Sequence, residues 1–430
     1  MHDERDLSVD YLSRVEGEGA LRLLLVDDEV ADLKFKIFEP PRFFEALLRG
    51  RRFSEAPDIT ARICGICPIA YQVSACNAME DAAGVAVPAG LQALRRLIYC
   101  GEWIESHGLH VYFLHAPDFL GYASGIAMAE DLPERVETGL RLKQLGNKVM
   151  TLLGGREIHP INLRVGGFFR VPTPAELETL VPELEWALEA AIDTTRWVAG
   201  FPFAEFEREY EFVALHHPDE YAIHQGRVVS NTGIDIAVDE WPQWFSEEQV
   251  EWSNALHART REGGSYHVGP LARYALNGDQ LTERAREEAE RAGLGATVTN
   301  PFRSIVVRAV EMVFACEEAL RIIDEYSRPE QPAVEVAPAA ATGHGVSEAP
   351  RGLLYHRYDV DAGGVITAAH IVPPTSQNQL SIEEDLRAFV PGYVQLSDDE
   401  LQAKLEQAIR NYDPCISCAT HFLDLSVERR

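Results

Sequence analysis

Two C-x-x-C pairs stand at opposite ends of this chain: Cys64 and Cys67 in Arg62-Ile63-Cys64-Gly65-Ile66-Cys67-Pro68, and Cys415 and Cys418 in Asp413-Pro414-Cys415-Ile416-Ser417-Cys418. Each pair sets its thiols at i and i+3, on one side of a turn that leads into or out of a helix. A fold that faces the two turns presents four sulfurs to one point, so the chain's ends must meet. Soft thiolates select nickel, zinc, copper(I) or an iron–sulfur cluster, and thiolates near helix N-termini resist protonation. One pair alone reads equally well as a redox dithiol or as buried unpaired cysteines. Two pairs, with only Cys76, Cys100 and Cys316 besides, favour a four-thiolate metal site. Zinc is the default for a closed site of four thiolates. Zinc knuckles keep their pairs close in sequence, however, and structural zinc has no use for Asp413 and His421 beside the second pair. Cys76, Cys100 and Cys316 read as small buried hydrophobes.

Lys and Arg number 39 against 68 Asp and Glu, a formal charge of −29. Such a surface repels phosphate backbones and offers no polybasic anchor, so neither nucleic acid nor a membrane is expected as partner. No run of eighteen apolar residues suggests a transmembrane helix. The polar opening MHDERDLSVD has no apolar core of a secretory signal. With an odd cysteine count, this predicts reduced thiols and a cytoplasmic setting.

Period-two alternation at Leu21, Leu23 and Leu25, with a turn at Asp27-Asp28-Glu29, predicts strands over 19–39. Helices are expected from Phe43 to Gly50, from Pro68 to about Ala83, and over about 89–115, 132–153, 174–199 and 397–411, with 279–327 as one or two long helices. Residues 205–275 look mixed, with short strand-like runs. The Pro-, Ala- and Gly-rich stretch 327–350 reads as a loop or linker. Residues 352–373 read as a strand pair around Asp361-Ala362-Gly363-Gly364. The expected fold is α+β but predominantly α. A central long-helix bundle would carry small peripheral sheets from 19–39, 205–235 and 352–373, with the metal site deep in the bundle.

The segments around both cysteine pairs resemble the two terminal signatures of nickel–iron hydrogenase large subunits, and other segments agree. Ser13-Arg14-Val15-Glu16-Gly17 is similar to that family's R-x-E-G motif. Glu45 lies in a matching position upstream of Cys64. Glu348-Ala349-Pro350-Arg351-Gly352 resembles E-A-P-R-G, and Pro374-Thr375-Ser376-Gln377-Asn378 resembles P-[ST]-x-x-N. Gly155-Arg156, His159-Pro160 and Gly166-Gly167 also fit. The likeness runs from residue 13 to 421, so residues 1–421 are expected to be one large-subunit catalytic domain.

This resemblance implies nickel held by Cys64, Cys67, Cys415 and Cys418, with Cys67 and Cys418 bridging to an iron that carries one CO and two cyanides. Cys64 and Cys415 would be terminal on nickel, leaving an open position for H2. It implies that Glu16 is a proton-relay carboxylate beside Cys415, and that Arg351 sits over the iron's ligands and pairs with Asp413. Thr375, following Pro374, would donate to a cyanide. Glu45, His421 and the carbonyl of Ile371 would bind Mg²⁺. Taken without the resemblance, Glu16 is a solvated surface group, Asp413 a helix-stop turn and Arg351 a surface residue beside a linker.

Two departures stand out. Ser106 occupies a place where many membrane-bound and periplasmic members carry Asp, which points to the cytoplasmic branch. Phe422–Arg430 continue past His421, as in a precursor from which a maturation endoprotease removes the tail once Ni-insertion factors have acted. The nearest likeness is to the NADP-reducing, sulfhydrogenase-type branch, with a deazaflavin-coupled enzyme or an H2-sensing homologue as alternatives. The chain has no G-x-G-x-x-G after a strand and no P-loop, so it should bind neither nucleotide nor flavin. It also lacks cysteines for an iron–sulfur cluster beyond the four of the nickel site. Electrons would therefore leave through an iron–sulfur small subunit, docked near His159 and the first cysteine turn, towards flavin- and NAD(P)-binding diaphorase-type subunits.

Overall fold

The computed structural model describes residues 4–421. The C-terminal extension, 422–430, lies outside the described residues. The long helices form the centre. Helix α1, Pro68–Ala83, opens on the proline that follows Cys67, where its missing N–H leaves no donor unmet, and closes on Gly84 in the left-handed region. Helix α2, Ala89–Leu109, continues through a π-helical turn, His110–His115. Helix α3 spans Pro133–Gly154, α4 Val181–Ala199 and α5 Ser304–Asp324. α2 packs on α3 and α5, and α5 packs on α4. α1 and α5 are buried on nearly every face, because apolar residues surround them and neither keeps a polar stripe for water.

The sheets among the described residues are small and antiparallel. The N-terminal meander joins Glu4–Val9, Gly19–Val26 and Glu29–Ile37. Asp27 and Asp28 turn between its last two strands with φ of 51° and 63°, a conformation that short polar side chains tolerate. Strands Val213–His216, Arg227–Ser230 and Asp235–Ile236 form a second sheet.

Several boundaries differ from expectation. The stretch 174–199 holds a short capped helix, Pro174–Glu178, before α4. The stretch 279–327, expected as one or two helices, takes the two-helix form, Glu283–Arg291 and α5. The larger correction concerns 327–350. Its second half is a buried strand, Ala341–Ala349, paired along its length with Gly352–Val360, which in turn pairs with Ile366–Val372. Its small residues look like a loop because they serve close approach. A Cβ on Gly345 would stand 2.2 Å from the Ser74 carbonyl oxygen of α1.

Helix α6, Pro374–Phe389, has no counterpart among the expected elements. Its sequence is polar, yet most of it is buried, and its side chains bind other segments' backbone. The Asn378 amide donates to the Val268 carbonyl at 3.0 Å, and the Ser381 hydroxyl to that of Tyr266 at 2.8 Å. Helix α7, Asp398–Arg410, starts at Ser397 with a reciprocal cap to Glu400.

The Gly345 contact generates a test. Gly345→Ala forces strand and helix apart and is expected to destabilise the chain by about 1–3 kcal/mol, read as a lower chemical-denaturation midpoint. An unchanged midpoint would show that α1 shifts freely.

Candidate metal centre

The two cysteine turns meet through backbone pairing of the chain's two ends. Glu16 and Cys415 are parallel bridge partners, and the Ile416 N–H donates to the Glu16 carbonyl at 2.9 Å. Gly17 makes this approach possible. Its φ is +90°, and a Cβ there would lie 2.7 Å from the Cβ of Ile416. Arg42, which no sequence motif marks, clamps both turns. Its guanidinium donates to the Ile63 carbonyl at 2.7 Å and to the Ser417 carbonyl, while its own N–H donates to the Thr420 carbonyl at 2.6 Å.

Cys64 follows a single 3-10 turn, Ala61–Ile63, and Cys67 immediately precedes α1. Cys415 and Cys418 flank and enter the four-residue helix Ile416–Ala419. All four sulfurs are buried and lie within 4.8 Å of one another. Across the two turns, Cys64 and Cys415 are 3.5 Å apart, and Cys67 and Cys418 3.8 Å. The N–H groups of Ile66 and Cys67 each donate to the Cys64 sulfur at 3.3 Å. Hydrogen bonding from Cys415, then from the other two thiols, with the Arg351 charge in addition, holds Cys64 well below the ordinary thiol range. Burial pushes Cys415 and Cys418 up. Four thiols this close cannot all ionise beside one another unless a cation sits among them. The donor set is soft, closed and anionic, and it fits a thiophilic transition metal.

Arg351 and Asp413 stand together over the cluster. Arg351 Nε lies 3.1 Å from Asp413 Oδ2 and donates to the Asp413 carbonyl at 2.8 Å, and both side chains are buried. Arg351 Nη1 has no protein acceptor, which leaves a charged donor for a ligand at the centre. Asp413 holds φ of 50°, an uncommon backbone state for a non-glycine residue. The Thr375 hydroxyl accepts from the Cys415 N–H at 3.0 Å and keeps its own proton to give. Pro374 supplies the buried first residue of α6.

Glu16 touches the centre through its side chain. Its Oε2 lies 3.2 Å from Cys415 Sγ and accepts from the Ser417 N–H at 3.0 Å. Burial, then the Cys64 charge, raises its pKa despite those bonds. Two further buried groups sit close by. Tyr71, one helical turn past Cys67, keeps its hydroxyl without a hydrogen-bond partner. Glu102 accepts from the Ile69 and Ala70 N–H groups at 2.6 and 3.2 Å, anchoring the start of α1. The i+4 position of Tyr71 is a readable signal; for Glu102 the sequence holds none. Ser106, one helical turn past Glu102 in α2, is buried with its hydroxyl unpaired.

Glu45, Ile371 and His421 form a second cluster. The Ile371 N–H donates to Glu45 Oε1 at 2.8 Å. His421 Nε2 lies 2.6 Å from the Ile371 carbonyl and 3.8 Å from Glu45 Oε1. His421 Nδ1 bonds the Cys418 carbonyl, which ties this cluster to the thiols. Burial raises the Glu45 pKa against the opposing effect of His421. Cys76, Cys100 and Cys316 are buried, and burial pushes all three thiols up, as expected of inert core cysteines.

A profile of the family described as nickel-dependent hydrogenase matches residues 42–138 and 243–421. The alpha subunit of sulfhydrogenase 1 from Pyrococcus furiosus is 34% identical over 423 residues, covering 97% of this chain and 98% of that one. The beta subunit of the NAD-reducing hydrogenase HoxS from Cupriavidus necator is 29% identical, over 97% of this chain and 95% of that one. The crystal structure of an NAD+-reducing [NiFe]-hydrogenase in its H2-reduced state superposes with a TM-score of 0.87 at 27% identity, over 97% of this chain and 99% of that one. No helix among the described residues is long and apolar enough to cross a membrane. Sequence, fold and the convergence of thiols reach the same conclusion: the chain belongs to the nickel-dependent hydrogenase family as a large subunit, an oxidoreductase that acts on H2.

Proposed function

We propose that this chain is the catalytic subunit of a cytoplasmic, NAD(P)-coupled nickel–iron hydrogenase, and that residues 1–421 act as one catalytic domain. The observation that carries the reading is the Glu16 carboxylate at 3.2 Å from one of four mutually facing thiols. Cys64, Cys67, Cys415 and Cys418 would hold nickel, with Cys67 and Cys418 shared with an iron carrying CO and two cyanides. Bound there, that pair supplies the redox chemistry and the polarisation that splits H2 heterolytically.

The chain's own groups handle protons and orientation. Cys415 is the thiolate base and Glu16 takes its proton outward. A carboxyl raised by burial lies nearer working pH, which suits a relay. Asp413 fixes the plane of Arg351, whose free Nη1 would donate to one cyanide. Thr375, which follows Pro374, would donate to the other. Glu45, His421 and the Ile371 carbonyl would hold Mg²⁺ behind the Cys418 turn, whose carbonyl His421 Nδ1 bonds.

Exposed Ile158 and Ile161 flank His159 in the chain, with exposed Phe169 paired to the adjoining Asn162 backbone, and His159 Nδ1 lies 2.7 Å from the Ala61 carbonyl just before the first cysteine turn. This apolar face suits the iron–sulfur small subunit, through which electrons pass to flavin- and NAD(P)-binding diaphorase-type subunits. Two of the similar proteins are named as NAD-reducing, which supports a pyridine nucleotide as the final acceptor, with NADP the form the sulfhydrogenase-type resemblance implies. Ni-insertion factors would load the site, after which an endoprotease removes 422–430.

The first test is an infrared spectrum of the chain purified with its partners. Sharp CO and CN stretching bands that shift under H2 are expected; a processed, metal-replete complex without such bands would refute the reading. Cys418→Ser is expected to abolish H2 uptake and tail processing together, and full activity in that variant would remove Cys418 from the ligand set. Glu16→Gln should keep the bands while slowing H2/D2O exchange about 10²–10⁴-fold; an unaltered exchange rate would take the relay role from Glu16.

A further inference from the structure

α5 carries an arginine that the reading above does not use. Arg308 is 1% exposed, yet its Nε and Nη1 have no hydrogen-bond partner and it makes no ion pair among the described residues. A buried guanidinium with no contact partner is costly to keep, and a structural role would be served better by an apolar side chain of the same length.

Its position is defined by its helix. The Ser304 hydroxyl, at the start of α5, donates to the Asn411 carbonyl at 2.8 Å. Arg308 lies four residues on and so shares that face. That face is the one that meets residue 411, two positions before Asp413, and Asp413 is the carboxylate that acts most strongly on the Arg308 charge. Glu311, one turn further, faces the same interior. Each of these carboxylates is already held by another guanidinium: Asp413 by Arg351 at 3.1 Å, and Glu311 by Arg273 at 2.7 Å. Arg273 also reaches Glu348 at 3.2 Å. The imidazoles facing Arg308, His110 and His115 in the π-helical turn and His267, are all shifted towards the neutral form by burial. His107, on Glu311, is likewise shifted to about 4 by burial. Arg308 is thus an additional positive charge, with Asp413 as its strongest electrostatic neighbour.

We propose that Arg308 is a positioning residue for the metal centre: its uncontacted charge holds the Asp413 carboxylate between two cations and so keeps Arg351 turned onto the four thiols. The inference rests on the nickel–iron reading. Asp413 without Arg308 would be balanced by Arg351 alone and would draw that guanidinium towards itself. The centre would then lose positive potential, and electron density at the iron would rise.

The test uses the holoenzyme with its partner subunits. Arg308→Met is expected to retain the metals, to move the CO and CN bands to lower wavenumber, and to lower the midpoint potential of the centre. Its unfolding temperature should equal or exceed that of the parent, because no partner is left unpaired. Arg308→Lys, which keeps the charge, should restore the band positions most of the way. Unmoved bands in Arg308→Met overturn the proposal, as do bands moved equally by Met and Lys, which would mean shape and not charge. A Met variant that unfolds earlier with its bands in place would assign Arg308 a structural role and also overturn it. Failure of the underlying reading looks different: the parent enzyme itself would show no bands.

Discussion

The rest of this structure depends on a short parallel pairing between the two ends of the chain. One backbone hydrogen bond, from Ile416 to Glu16, and the side-chain contacts of Glu16 with Ser417 and Cys415 set the second cysteine turn against the N-terminal sheet. Closing a loop of this span, 351 residues between Cys64 and Cys415, costs roughly 5 kcal/mol in chain entropy from its length term alone. One hydrogen bond does not offset that. The offset comes from the buried bundle, which brings the ends within reach. The pairing then selects the register, and Gly17 is there because no side chain fits between the strands. Arg42 adds the third tie, joining both turns from a position that belongs to neither.

The interior is unusually polar for a helical bundle, and its polarity is organised around the thiols. Arg273, Glu311, Glu348, Arg351 and Asp413 are all buried and connect in pairs, so that each of these five has an opposite neighbour. Such pairs contribute little to net stability but leave a high penalty for removing one partner. Burial also pushes several histidines down, which keeps them neutral and avoids further positive charge inside. The low-dielectric wall strengthens every remaining field at the centre.

Much of this is legible in the sequence. The cysteine spacing requires the ends to meet, and they do. Glu16, Arg351, Asp413 and Thr375, placed by short motifs, all come to the thiols, and Glu45, Ile371 and His421 come together behind Cys418. Long apolar periodicity locates the bundle helices. What stays hidden has a common cause: residues chosen for tertiary contact mimic the composition of loops. Ala341–Ala349 looks like a linker because Gly345 must lie flat against α1. α6 carries no apolar periodicity to announce it, because polar residues such as Asn378 and Ser381 serve the backbone of other segments. Arg42, Glu102 and Arg308 act through partners far off in sequence, and no local pattern announces that.

The separation of the two cysteine pairs also orders events in time. During synthesis Cys64 and Cys67 emerge early, and the bundle helices can gather while half of the ligand set is still untranslated. Until the second pair is made, only two of the four thiols that face one another at the centre are present. The last segment to assemble is the one that carries Cys415, Cys418 and His421, and it comes into place against a scaffold already formed. The centre is thus completed by residues from the two extremes of the described chain, the second pair arriving last.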